Sequence, residues 1–165
     1  LIALFMAEDT KEPLGSTKQI EEFIRPFRPD IIIPDWGYGK DRVTYLAKAF
    51  PGRVYGCTYA AESRLVHPRF GEDTVTVDRT GWLKGMSHEF REQRVAIPDE
   101  EQLPLMPTYR SHLKTLVTVL EEQDDGTIKE RVEETGDDHF AHATGYALMG
   151  FEYRGGGTPF AFDFL

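Results

Sequence analysis

The sequence predicts an α/β fold, a central mixed sheet flanked by helices. Three observations predict it. Strand-like and helix-like patterns alternate from Leu1 to Tyr59, the mark of an open sheet with right-handed crossovers. Ile31-Ile32-Ile33 is a short β-branched run, as in a strand covered on both faces. Asp124-Asp125-Gly126 separates two alternating runs, a strong hairpin signal.

Each element has its own justification. Leu1–Glu8 reads as a buried strand. Ser16-Thr17-Lys18-Gln19 has the form of a capping box and places a helix start at Thr17. Ile20, Phe23, Ile24 and Phe27 share one face of that helix, and Pro26 and Pro29 end it. Residues 30–35 form the second strand. Asp41 is expected to cap a second helix running through Val43, Leu46, Ala47 and Phe50, stopped by Pro51-Gly52. Arg53–Tyr59 is the third strand, and residues 60–74 read as a loop. Thr74–Asp78 alternates as a strand. A third helix opens at Thr80 and runs to about Gln93, and Arg94–Pro98 reads as a short strand. Pro98, Pro104 and Pro107 suggest a segment crossing the surface. Leu116–Gln123 and Thr127–Glu134 are the arms of the hairpin. A last helix over Asp137–Met149 carries the apolar stripe Phe140, Ala141, Thr144, Ala147 and Leu148.

Length and composition narrow the function. The 165 residues suit one domain. The net charge of −9 and pI near 5.0 argue against nucleic-acid binding by bulk charge. The apolar runs Leu1–Ala7 and Ile31–Pro34 fall far short of the roughly 20 residues that span a bilayer. No signal-peptide pattern occurs. A single cysteine, Cys57, excludes an internal disulfide framework and a cysteine-rich zinc site, and reads as a small core residue. The charge is uneven. From Glu121 to Asp138 there are nine acids and two bases, seven of the nine net negative charges. Up to Glu134 this reads as a solvated hairpin surface.

Two places can carry chemistry. Asp35 ends a buried strand before Gly37 and Gly39, where open α/β sheets form sites. It either holds a metal or a base role, or caps the turn through the backbone N–H of residue 37 or 38. Asp137 and Asp138 abut at a helix start, and His142 lies one turn on from Asp138 on the same face. Either they are cap and helix-end charges, or the acidic end faces a cation. Carboxylates from a strand end and a distant helix start suit Mg²⁺ or Mn²⁺, and two such ions promote phosphodiester cleavage. His67, His88 and His112 read as solvated, and His139 as facing outward. Trp36 either joins the core or roofs the site. Gly37-Tyr38-Gly39-Lys40 lacks the phosphate-loop pattern.

The segment Ile31-Ile32-Ile33-Pro34-Asp35-Trp36-Gly37-Tyr38-Gly39-Lys40-Asp41-Arg42, followed by a helix and Val54-Tyr55-Gly56-Cys57-Thr58-Tyr59, resembles the middle of the nuclease domain of tailed-bacteriophage large terminase subunits. Val75–Thr80, the acidic hairpin and Gly136-Asp137-Asp138-His139-Phe140-Ala141-His142-Ala143 resemble its later part. The resemblance runs from about Leu1 to Gly150. It implies an RNase H-like fold with the acidic hairpin added before the last helix. It implies a metal-dependent endonuclease cutting concatemeric double-stranded DNA during packaging. By the same resemblance Asp35, Asp137 and Asp138 are the catalytic, metal-binding acids, with His142 beside them and Mg²⁺ or Mn²⁺ as cofactor. The family's first-strand Asp has no counterpart here. Residues 1–165 are therefore expected to form a single nuclease domain lacking its first strands and the ATPase domain. Lys40, Arg42, Arg79 and Lys84 are candidates for phosphate contact, with ordinary surface charge as the alternative for each. The implied partners are the ATPase domain, the small terminase subunit and the portal protein. The implied location is the host cytoplasm, with no membrane contact.

Two rivals stand beside this expectation. A junction resolvase or transposase-like nuclease would share the fold class and prefer branched DNA. A docking domain would use the acidic hairpin to grip a basic partner.

Overall fold

Parallel strand pairing is present where the alternation predicts it, but the strands are short. The computed structural model describes residues 5–37, 39–60, 67–95, 97 and 103–155. Within these, strands β1 (Gly56–Ala60), β2 (Arg69–Phe70) and β3 (Thr74–Asp78) form one sheet in the order β1-β3-β2. β1 and β3 are parallel, with Cys57 opposite Val75 and Tyr59 opposite Val77. β2 is antiparallel to β3. Strands β4 (Leu116–Glu122) and β5 (Ile128–Glu134) form a separate antiparallel hairpin. The helices are α1 (Gly15–Ile24), α2 (Lys40–Ala49), α3 (Arg79–Arg91), α4 (Met106–Lys114) and α5 (His139–Gly155). The molecule is a mixed α/β protein with five helices and two small sheets among the described residues.

The run Ile31–Asp35 lies beside β1 in parallel but makes only two bridges, Ile32 with Val54 and Asp35 with Cys57. Ile32 N–H donates to the Arg53 carbonyl at 2.8 Å, Tyr55 N–H to that of Ile32 at 3.0 Å, and Cys57 N–H to that of Pro34 at 2.7 Å. Pro34 has no N–H to give.

Side chains alternate across this sheet as the pleat requires. Cys57, Val75 and Val77 join Trp82, Leu83 and Met86 of α3, Val132 of β5 and Tyr146 and Met149 of α5 in the largest core. Ile33, Tyr55 and Tyr59 pack against it. Val54 faces the other way, into a smaller core with Val43, Leu46 and Phe50, against which Ile24, Ile32 and Trp36 pack. Trp36 is thus half-buried against this smaller core. A third cluster joins Met106 and Tyr109 of α4 to Phe140 of α5. Trp82 is fully buried and its indole N–H donates to the Gly145 carbonyl at 3.1 Å, so α5 lies close on α3.

Several boundaries differ from the expectation, each for a local reason. Phe5–Glu8 is not a strand. It runs along α1, with Phe5 stacked on Phe23 at 4.6 Å and Glu8 N–H bonded to Gln19 Oε1 at 2.9 Å. Leu1–Leu4 lie outside the described residues. Gln19 is thereby taken, and no capping box forms. α1 starts at Gly15 behind Leu14, whose φ is 63°. It ends at Ile24 in a 3₁₀ turn, Arg25–Phe27, with Pro26 in it. Gly39, not Asp41, stands at the N-cap of α2, and Asp41 sits in its first turn. α3 is capped by Asp78, whose Oδ1 accepts from Gly81 N–H at 2.6 Å. The expected loop 60–74 contains β2, and Ala61–Val66 lie outside the described residues.

Arg94 and Val95 are not in a strand, and Ala96 and Pro98 lie outside the described residues. Arg94 instead makes two bonds, 2.7 and 2.8 Å, to the carboxylate of fully buried Glu89. The proline-rich segment, expected to cross the surface, leads into α4, with Pro107 in the first turn, where its missing N–H costs nothing. The hairpin forms in full register from Leu116–Glu134 to Glu122–Ile128, turning at Gly126 with φ 77°, a value glycine adopts without strain. α5 begins at His139, because the Asp138 carbonyl accepts from Ala141 and His142 N–H, and it runs on to Gly155.

Candidate functional site

The carboxyl ends of the parallel strands meet the N-terminal end of α5. Tyr59, next to last in β1, puts its hydroxyl 2.7 Å from His142 Nδ1. The other ring nitrogen, Nε2, lies 3.0 Å from Asp138 Oδ2 and 3.5 Å from Glu134 Oε1. One ligand atom from each of Glu134, Asp138 and His142 lies within 4.8 Å of the others. β5 delivers Glu134 as its last residue, and one helical turn delivers Asp138 and His142.

The electrostatics of this cluster are uneven. Asp138 Oδ2 is shielded from solvent and accepts no well-directed hydrogen bond, although His142 is near. Unsatisfied buried carboxylate oxygens are costly and call for an explanation. Glu134 is open to solvent and held by the Arg79 guanidinium. Arg79 also donates to the Val132 carbonyl at 2.8 Å and stands 6.0 Å from the centre of the Tyr59 ring. Burial pushes the Tyr59 hydroxyl far above the usual phenol range, reinforced by neighbouring Tyr146. Tyr59 therefore stays a neutral hydroxyl that donates to or accepts from Nδ1, so either tautomer of His142 is accommodated.

Asp35 sits on the same side of the sheet by the parity of Ile33 and Cys57, but in a different setting. It is exposed, and its Oδ1 accepts from Gly37 N–H at 2.7 Å. The turn-capping role is thus realised on one oxygen. Asp35 also lines a cleft of about 650 Å³ with Arg42 of α2 and Ala143, Tyr146 and Ala147 of α5. Its charge reaches inward. Burial first, and Asp35 second, raise the Cys57 thiol to about 12. Tyr146 is raised chiefly by burial, with smaller contributions from Asp35 and Asp138. Tyr146 therefore feels both acids.

The other expected residues are placed as follows. Asp137 turns from the cluster. It is exposed, its carbonyl accepts from Thr115 Oγ1 at 3.1 Å, and it lines a hollow with Pro107, Ser111 and His112 of α4. Lys40 and Arg42 are exposed at the start of α2 and border a hollow of about 800 Å³ with Gly37 and Gly39. Arg79 and Lys84 are engaged within the chain, with Glu134 and Glu130 of β5. His112 is buried rather than solvated, and its Nδ1 accepts from Phe140 N–H at 3.3 Å, anchoring the start of α5. His139 is exposed, as expected, and His67 is exposed with its Nδ1 3.9 Å from Glu152 Oε2.

Sequence reasoning missed Glu134 and Tyr59. Glu134 was one acid among many on the hairpin. Its one distinguishing signal is position, last in its strand and a short loop ahead of Asp138. Tyr59 carries a similar signal, a polar tip at the carboxyl end of a parallel strand.

Comparison of the chain with protein-family models, with curated proteins and with solved structures gives no match. Among the described residues no helix is long and apolar enough to cross a membrane.

Proposed function

We propose that this chain carries the metal-dependent nuclease site of a large terminase subunit in an RNase H-like frame, hydrolysing phosphodiester bonds of double-stranded DNA. The observation that carries the reading is the Glu134–Asp138–His142 cluster with its unsatisfied Asp138 oxygen. The donor set fits a divalent cation. Two carboxylates and an imidazole suit Mn²⁺ well, and the carboxylates suit Mg²⁺. A cation held there supplies Lewis-acid activation of water and stabilises charge on the phosphate.

The chain's own residues have separable tasks. Asp138 and Glu134 provide the negative charge. His142 offers Nε2 toward them, while Tyr59 fixes the ring through Nδ1. Asp35 contributes a third carboxylate, from the strand end, and Tyr146 is in electrostatic reach of both it and Asp138. Asp137, which faces α4, has a smaller part in this reading than the resemblance implies. In this reading Lys40 and Arg42, exposed at the start of α2, with Arg42 sharing a cleft with Asp35, receive the phosphate backbone. The ATPase domain, small subunit and portal protein are partners by the resemblance alone.

The test is a calorimetric Mn²⁺ titration of the chain and of Asp138→Asn, followed by cleavage of linear duplex DNA with each. Saturable binding and cleavage, both lost in the variant, support the reading. Binding that survives Asp138→Asn removes the site. Cleavage confined to branched DNA moves the reading to a resolvase-type nuclease.

A further inference from the structure

The β4–β5 hairpin has one face with two different halves. Side chains of Thr118, Leu120 and Glu122 share that face with Ile128, Glu130 and Val132, because paired residues point the same way. At the root Val132 is 3% exposed and belongs to the main core. Arg79 and Lys84 of α3 close over this root through the Val132 carbonyl, Glu134 and Glu130. Beyond Lys84 the face continues, and there Leu120 and Ile128 are each 68% exposed. They are diagonal neighbours, within reach of one another across the strands. Leu120 stands opposite Glu130, and Ile128 opposite Glu122. Apolar and acidic side chains thus form a checkerboard, with Asp124 and Asp125 at the turn beyond.

We propose that this outer face docks a cationic amphipathic segment of another protein, one that presents leucine-like side chains between lysines or arginines. Charge selects this occupant. The outer hairpin, Glu121–Glu130, holds five acids and one base, which repel a nucleic-acid backbone. A second copy of the chain would set the same acids against each other, and like charges across an interface cost affinity. A neutral apolar partner would leave Glu122 covered and unpaired. A cationic amphipathic segment covers Leu120 and Ile128 while its bases meet Glu122 and the turn acids. This surface is separate from the metal cluster and does not depend on the nuclease reading.

The experiment uses the full chain, no divalent metal, and a fluorescein-labelled 14-residue peptide of leucine and lysine at helical spacing. Anisotropy is followed against protein concentration at low and high salt. Expected is saturable binding that weakens with salt, falls about tenfold in Leu120→Ser with Ile128→Ser, and falls in Glu122→Lys. Asp138→Asn should bind as the parent does, which separates this face from the metal site. Both substituted apolar positions are exposed, and circular dichroism checks that the fold survives. Absence of saturable binding overturns the proposal. So does equal binding by the Leu120/Ile128 double variant, or equal binding of an all-lysine peptide, since either reduces the effect to net charge. Displacement of the peptide by duplex DNA overturns it in favour of nucleic acid. A dimer in size-exclusion chromatography that Leu120→Ser with Ile128→Ser dissociates assigns the face to a second copy instead.

Discussion

Two acids, buried Glu89 at the C-terminal end of α3 and half-buried Asp138 at the N-terminal end of α5, have opposite surroundings. Glu89 is fully buried and both its oxygens receive the Arg94 guanidinium. Asp138 has an oxygen equally shielded from water, with no well-directed donor and a second carboxylate, Glu134, in the same cluster. A bidentate guanidinium completes a carboxylate and leaves it structural. An incomplete one, held beside an imidazole and another acid, is poised for a partner. Burial does not separate the two acids; the state of their lone pairs does.

The contrast can be broken first at Glu89. Arg94→Ala should leave a buried charge uncompensated and lower unfolding stability by about 3 kcal/mol, measured by urea denaturation. A loss under about 1 kcal/mol would mean that Glu89 finds another donor, and the two acids would no longer differ in kind.

Asp138→Asn should cost little stability and about 100-fold or more in Mn²⁺ affinity. Asp35→Asn should cost only about tenfold, because one Asp35 oxygen already serves Gly37 N–H. Equal losses in the two variants would show that the exposed acid is as central as the shielded one. Calorimetry decides between them.

A third acid with a shielded oxygen sharpens the comparison. Glu152 Oε1 has no hydrogen-bond partner, and burial raises its carboxyl from 4.5 to about 7. Between these values the folded chain keeps a proton that the unfolded chain has lost. Stability from this group is therefore full below pH 4.5, falls as pH rises, and levels off above about 7. Glu152→Gln should remove that slope and be more stable than the parent by about 2 kcal/mol at pH 8, with little difference at pH 4. Parallel pH profiles in thermal melts would contradict the assignment.

The smallest effect is expected at Tyr59. Tyr59→Phe removes the hydroxyl at His142 Nδ1 and keeps the ring packing. Metal affinity, measured by calorimetry, should drop about tenfold. An unchanged affinity would show that Asp138 alone orients the imidazole.

What the sequence disclosed was mostly local. The pairing of Asp138 with His142 follows from helical spacing, and the hairpin follows from Asp-Gly between alternating runs. Strand β3 was read to the residue, because Thr74–Asp78 alternates cleanly. The missing parts depend on distant partners. Gln19 looked like half of a capping box until Glu8 took it. Arg79 and Lys84 looked like free cations, but the acids that hold them lie about fifty residues away in sequence. His112 looked solvated because nothing local announces that α5 begins against it. α4 was hidden by Pro104 and Pro107, residues that punctuate loops yet also start helices. Glu134 and Tyr59 join the cluster through tertiary packing, and no spacing rule reaches them.

Gly56 carries a consequence for how this sequence can vary. A Cβ built there would stand 1.8 Å from Cε3 of Trp36, well inside contact distance. The indole occupies the room that a side chain at position 56 would need, directly beside Asp35. The two positions form one unit of inheritance. An alanine at 56 needs the indole to move or a smaller residue at 36, so in related chains a side chain at 56 should be accompanied by loss of the tryptophan.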